Sequence, residues 1–169
     1  VSNTSNFRYI APMQSVWVKV GASASTGTVN MNRSMLSHQT GNTLKSSTVF
    51  PTLARVNLVD GDLFDQLLVY MNSDMTNEVD QYDSEKLPVS GTVQVYTMAS
   101  NKKLVMNGLK NNKKKVSVPL YLELPESKSY TLQLSEYVLD NGLILLEDKQ
   151  EGTMQDLTLL ENYTFYANS

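Results

Sequence analysis

The chain has 169 residues, of which 41% are hydrophobic and 18% charged, and its formal net charge is −3. This composition supplies enough apolar material for a core and argues against a disordered chain or a nucleic-acid partner. Cysteine is absent, which excludes disulfides, thiolate nucleophiles and cysteine-based metal sites. No apolar run approaches the roughly 20 residues that a membrane-spanning helix needs, so no membrane insertion is expected.

Alternation of apolar and polar residues recurs along the chain. In "QSVWVKV" (14–20), Val16, Val18 and Val20 share one face, and Trp17 and Lys19 share the other. Period-two alternation rich in β-branched and aromatic residues predicts half-buried strands. Counting such runs gives roughly ten to twelve strands. We therefore predict an all-β fold, an antiparallel, jelly-roll-like β-sandwich with little helix. Further runs of this kind are 92–98, 116–124, 130–134 and 162–166.

Turn-forming residues separate these runs. Residues 62–71, "DLFDQLLVYM", fit either helical spacing or a buried strand, and the all-β surroundings favour a strand. Pro119 inside the run 116–124 predicts an edge strand or a bulge, because proline cannot donate to a ladder. Three dipeptides favour the positive φ values of tight hairpin turns: Asp60-Gly61, Asn107-Gly108 and Asn141-Gly142.

Residues 1–169 are predicted to form a single β-sandwich domain. The polar, Ser/Thr-rich stretch 38–51 ends in Pro51 and interrupts the strand pattern. It is either a long crossover loop or a boundary between two subdomains around residues 40–50. The sequence leaves open whether residues 1–50 belong to the same sandwich.

The most acidic stretch is "NSDMTNEVDQYDSEK" (72–86). Asp80 and Asp83 are weak calcium candidates, because Ca²⁺ prefers oxygen ligands but the spacing matches no EF-hand loop. The alternative is a polar connection in which Asp80 or Asp83 accepts hydrogen bonds from backbone N–H groups or from Lys86. The second interpretation is favoured, so we predict no metal site and no cofactor.

Two aromatic residues, Trp17 and Tyr121, are the candidate ligand-binding residues, since exposed rings on a β-sandwich can stack against sugar rings. The alternative for Trp17 is a place in the core, where large aromatic residues usually lie. His38 is the only histidine. No Gly-x-Ser-x-Gly elbow accompanies it, so a Ser-His-Asp triad is not indicated. We expect no catalytic residues and no enzymatic activity.

A family resemblance rests on motifs in a fixed order. The motifs are "YIAPMQSVWVKV" (9–20), "MNRSMLSHQ" (31–39), "VYMNSDMTNEVDQYDSEKL" (69–87), "YTLQLSEYV" (130–138) and "ILLEDKQEGTMQDLTLLENYTFYA" (144–167). Together they resemble the β-sandwich module that precedes the C-terminal sorting domain in Bacteroidetes proteins exported by the type IX secretion system. One departure is Ser15-Val16-Trp17, where that family usually has Gly-Phe-Phe.

The resemblance implies a non-catalytic accessory or structural domain, secreted or attached to the outer-membrane cell surface. The family has no established catalytic residues to carry over. The implied partners are neighbouring domains of the same polypeptide, and adhesive contact with a surface glycan or protein is a further expectation. The chain is then expected to be a piece of a larger protein. The alternative function is a carbohydrate-binding module that uses its surface aromatic residues.

Overall fold

The computed structural model describes residues 18, 20–21, 23, 25–35, 52–87, 89–111 and 115–168. The chain divides into two compact units, Val1–Thr48 and Val49–Ser169. In the first unit, the described residues include one 3₁₀ turn, Arg33–Met35, whose Met35 N–H donates to the Asn32 carbonyl at 3.0 Å. The expectation of one domain, or of a boundary around residues 40–50, stays a prediction.

The second unit contains ten strands within the described residues. Eight form one sheet, and the other two pair with each other as a separate hairpin. The strands are β1 (Thr52–Asp60), β2 (Leu63–Asn72), β3 (Ser84–Glu85), β4 (Gln94–Ala99), β5 (Lys102–Lys110), β6 (Tyr121–Glu123), β7 (Lys128–Val138), β8 (Leu145–Asp148), β9 (Thr153–Asp156) and β10 (Asn162–Ala167).

The order of strands in the large sheet is β10-β7-β1-β2-β5-β4-β6, and β3 pairs with β5 off this path. Neighbouring strands are antiparallel except β2 and β5, which run parallel over residues 68–72 and 106–110. The predicted all-β, sandwich-like fold is confirmed, with this one parallel pair in it. Within the described ranges, no helix is long and apolar enough to cross a membrane.

The larger core lies on one face of the sheet. Leu58, Leu67 and Val95 are fully buried there. Burial of a leucine or valine side chain stabilises the fold by about 1.5–3 kcal/mol relative to exposure. Ile144 and Leu146, from the β8–β9 side, pack against this cluster and form part of a second layer. The other buried members are Val56, Val93, Tyr130, Leu132, Leu134 and Leu157.

A smaller core lies on the opposite face of β2, since Leu68 follows the core residue Leu67 and strand neighbours point to opposite faces. It consists of Leu53, Leu68, Tyr70 and Met75. Met75 is only 2% exposed although it lies in the polar connection after β2. That connection therefore folds back over the sheet.

The structure resolves several local predictions. The ambiguous segment 62–71 is strand from Leu63 onward, as predicted, and Gly61, with φ of 58°, lies in the turn between β1 and β2. The predicted turn at Asn107-Gly108 is wrong, because both residues lie inside β5. Pro119 precedes β6, which is the last strand at that edge of the sheet. Most of the run 14–20 lies outside the described residues.

Candidate functional site

Most of the acidic stretch, residues 73–83, forms the loop between β2 and β3. Asp80 organises its first half, because its Oδ2 accepts from the N–H and the hydroxyl of Thr76, both at 3.0 Å. Its Oδ1 accepts from the N–H of Tyr82 at 2.8 Å, the two-residue geometry of an Asx turn. The Asp80 carboxylate is thus engaged by its own loop on both oxygens.

Asp83 connects the loop to itself and to the sheet. Its Oδ2 accepts from the N–H of Asp80 and its Oδ1 from the N–H of Gly108 on β5, both at 2.8 Å. The Tyr70 hydroxyl donates to the Tyr82 carbonyl. Burial, together with the negative charges of Asp83 and Asp80, raises the pKa of Tyr70 to about 12. The loop and the smaller core are therefore one connected structure.

This geometry matches one of the two interpretations of the acidic stretch. The predicted backbone hydrogen bonds are present, but Lys86 is not the partner of Asp80 or Asp83, since its Nζ lies 2.5 Å from Asp65 Oδ2. In the described part of the chain, no group of three or more His, Cys, Asp or Glu is placed to hold a metal ion. The calcium candidates are brought together by an N–H to carboxylate bond within the loop.

A different surface brings an aromatic candidate together with polar side chains. Val95 on β4, and Val93 just before this strand, lie in the larger core, so Gln94 and Tyr96 point to the opposite side. Tyr96 lies directly opposite Tyr121 in the β4–β6 ladder. We name this surface the aromatic face; it consists of Gln94, Tyr96, Lys103, Tyr121 and Glu123.

The aromatic face is layered across three strands. The rings of Tyr96 and Tyr121 stack with centroids 5.7 Å apart and planes 10° apart. The Lys103 ammonium lies 4.7 Å from the centroid of the Tyr96 ring, a cation–π distance. Tyr96 is 8% exposed, whereas Tyr121 is 44% exposed. The predicted binding residue Tyr121 is thus an exposed ring on a buried aromatic support.

Glu123 accepts hydrogen bonds from the other polar side chains of this face. It accepts from Lys103 Nζ, from the Tyr96 hydroxyl at 3.2 Å and from Gln94 Nε2 at 2.5 Å. The Lys103 hydrogen bond is the main cause that lowers the pKa of Glu123, and the Glu123 hydrogen bond likewise raises the pKa of Lys103. The carboxylate is therefore ionised and fixed in place.

A cleft of about 630 Å³ adjoins the aromatic face through Gln94, Lys103 and Glu123. Its positive charges are paired: Lys102 Nζ lies 2.5 Å from Glu85 Oε1, and Lys103 contacts Glu123. Lys86 lines the cleft as well and is paired with Asp65. The cleft consequently offers hydrogen-bonding groups without an unbalanced cluster of charge.

The sequence predictions locate only part of this surface. Trp17 and His38 lie outside the described residues, and Asp80 and Asp83 belong to the β2–β3 loop rather than to the aromatic face. Sequence reasoning singled out Tyr121 as a candidate and did not single out Gln94, Tyr96 or the other members of the face. The period-two spacing of Gln94 with Tyr96, and of Tyr121 with Glu123, was visible, but the pairing of β4 with β6 was not.

Fold and surface together define an all-β domain with an exposed aromatic face, which does not by itself fix an activity. The chain belongs to the family described as domain of unknown function DUF8693, whose model matches residues 2–169. No curated protein matches the chain, and no solved structure does.

Proposed function

We propose that this chain is a non-catalytic accessory domain of a secreted or cell-surface bacterial protein exported by type IX secretion. Its role would be to act as a stable spacer beside neighbouring domains and to make adhesive contacts at the surface. The motifs quoted above support this proposal by their resemblance to the Bacteroidetes module that precedes a sorting domain.

One observation carries the structural part of this proposal. The acidic stretch contains the motif "VDQYDSEK" (79–86), part of the resemblance, and its two aspartates use their carboxylates to hold the chain itself. Residues that fix a loop to itself and to a sheet are consistent with a structural role for this stretch. The same atoms would have to leave these bonds in order to act on a ligand.

The test is an export experiment in a Bacteroidetes host. A protein that carries this chain upstream of a sorting domain is produced in a strain with intact type IX secretion and in a strain that lacks a component of it. We expect surface display, measured by protease accessibility on whole cells, only in the intact strain. Display in both strains would contradict the export route, and substrate turnover by the purified chain would contradict the non-catalytic role.

A second candidate function, carbohydrate binding, is favoured by Tyr121. This ring is 44% exposed while its stacking partner is 8% exposed, so an aromatic surface is presented rather than buried. Flat apolar ring faces are the surfaces on which sugars stack. A glycan array on the purified chain tests this function, because a binding module gives reproducible signals for a defined set of glycans and an inert spacer gives none.

A further inference from the structure

We propose that the aromatic face and the cleft beside it bind a neutral glycan, with one sugar ring on the exposed side of Tyr121 and hydroxyls bonded by Glu123 and Lys103. This inference rests on the second candidate function. It adds the location of the site and the class of the ligand.

The first step concerns the ring. The stacked Tyr96 covers one side of Tyr121, and Lys103 lies over the Tyr96 ring in turn. Because β6 ends the sheet order at this edge, no further strand of that order covers the other side of Tyr121. A ring held in place before binding loses little conformational entropy when a ligand arrives. Tyr121 is therefore a preformed platform.

The second step concerns hydrogen bonding. Glu123 lies two residues after Tyr121 on the same side of β6, about 7 Å along the strand. Its carboxylate is fixed by Lys103, Tyr96 and Gln94. The side chains of Lys103 and Glu123 remain 48% and 39% exposed, so both can still contact a ligand. Fixed donors and acceptors beside an apolar ring face match a sugar, which has hydroxyls around an apolar ring surface.

The third step concerns charge. The three lysines of the cleft, at positions 86, 102 and 103, are each paired with a carboxylate. A phosphate, sulfate or carboxylate ligand would have to displace one of these carboxylates and leave it beside a second negative charge. A neutral polyhydroxylated ligand needs no such displacement. The charge pattern thus favours neutral over acidic glycans.

The experiment combines a glycan array with calorimetry on the purified chain. The array carries neutral glucose, xylose and mannose hexasaccharides beside sialylated and sulfated glycans, and the strongest neutral binder is titrated calorimetrically. We expect Tyr121→Ala to weaken that affinity by at least about tenfold, given the energies of aromatic stacking. Tyr121→Trp keeps the platform and retains binding. Glu123→Gln, which weakens the Lys103 pair, lowers affinity less.

The matched control is Tyr137→Ala, because Tyr137 is 43% exposed and lies on β7, away from the aromatic face. It should leave affinity unchanged, and melting curves of all variants verify folding. Equal affinity of Tyr121→Ala and the unmodified chain would overturn the site and leave carbohydrate binding intact. A preference for the acidic glycans would overturn the ligand class. Absence of binding to every glycan on the array would overturn both this inference and the carbohydrate-binding function on which it rests.

Discussion

Asp83 accepts a hydrogen bond from the backbone N–H of Gly108, with 2.8 Å between Oδ1 and the amide nitrogen, across 25 positions of the chain. This bond ties the β2–β3 loop to β5. Since Oδ2 of the same carboxylate accepts from the N–H of Asp80, one side chain fixes the loop to itself and to the sheet.

Asp83→Ala should lower the free energy of unfolding by about 1.5–3 kcal/mol, because two partly buried N–H groups lose a charged acceptor. Urea denaturation followed by circular dichroism measures this loss. Asp74→Ala is the control: it lies exposed in the same loop, and its Oδ1 receives a 3.4 Å contact from the Ser73 hydroxyl. Its effect should stay within about 0.5 kcal/mol, so equal losses for the two variants would contradict the assigned role of Asp83.

Gly108→Ala should also destabilise the fold, by about 1–3 kcal/mol, through overpacking. A Cβ atom at this position would lie 2.9 Å from the Met75 sulfur and 3.2 Å from the Tyr82 Cβ. Thermal melting of the variant gives the sign and size of the effect.

The steric origin of that loss is checked in a Met75→Ala background. Met75→Ala removes the closest contact, so Gly108→Ala should cost clearly less there than in the unmodified chain. The difference between the two costs is the coupling energy of a double-mutant cycle. Two equal costs would show that the contact with the Met75 sulfur is not the source of the loss.

The same glycine shows why part of the fold escaped sequence reasoning. Asn107-Gly108 has the composition of a hairpin turn, but here the glycine serves close packing inside β5 under the loop. The turn preference of a dipeptide is a local property, so it does not predict the contact of Gly108 with residues some 30 positions earlier in the chain. Segment 62–71, in contrast, was predictable as a strand, because its surroundings were consistently β.

The candidate site was predictable to a similar extent. Tyr121 could be singled out as an aromatic residue in an alternating run, and the backbone bonds of Asp80 and Asp83 follow from the turn chemistry of aspartate. The stacking of Tyr121 on Tyr96 depends on which strands pair, and sequence periodicity does not contain that pairing. The pairing of Lys86 with Asp65 depends likewise on tertiary packing.

Tyr70 makes the free energy of unfolding depend on pH in the alkaline range. Its pKa is raised from 10.0 to about 12, so the folded protein holds this proton more tightly than the unfolded chain. The resulting stabilisation is fully present below pH 10 and is lost as the pH rises from 10 towards 12. The urea concentration at the midpoint of unfolding should therefore fall as the pH is raised across this range.

Tyr70→Phe isolates the contribution of this hydroxyl to the pH dependence. The variant has no hydroxyl at this position, so its midpoint should fall less steeply between pH 10 and 12. At pH 7 it should be less stable than the unmodified chain, because the bond to the Tyr82 carbonyl is lost. Parallel pH profiles for the two proteins would contradict the assigned role of Tyr70.

Asp65 and Lys86 form an ion pair, and replacing Asp65 should lower the free energy of unfolding more than replacing Lys86. The Lys86 side chain is 7% exposed, and Asp65 Oδ2 also accepts from the N–H of Val95 at 2.6 Å. Asp65→Ala leaves a buried ammonium and an N–H without its acceptor, so it should cost about 3–5 kcal/mol. Lys86→Met keeps the apolar stem and the Asp65 bond to Val95, so it should cost much less.

The double variant Asp65→Ala/Lys86→Met should recover part of the loss of Asp65→Ala, because it no longer buries an unpaired charge. Lys102→Ala serves as the control, since Lys102 and its partner Glu85 are 49% and 38% exposed and such pairs contribute about 0–1 kcal/mol. All four variants are compared by urea denaturation at one pH. A double variant less stable than Asp65→Ala would show that the buried ammonium is not the source of the cost.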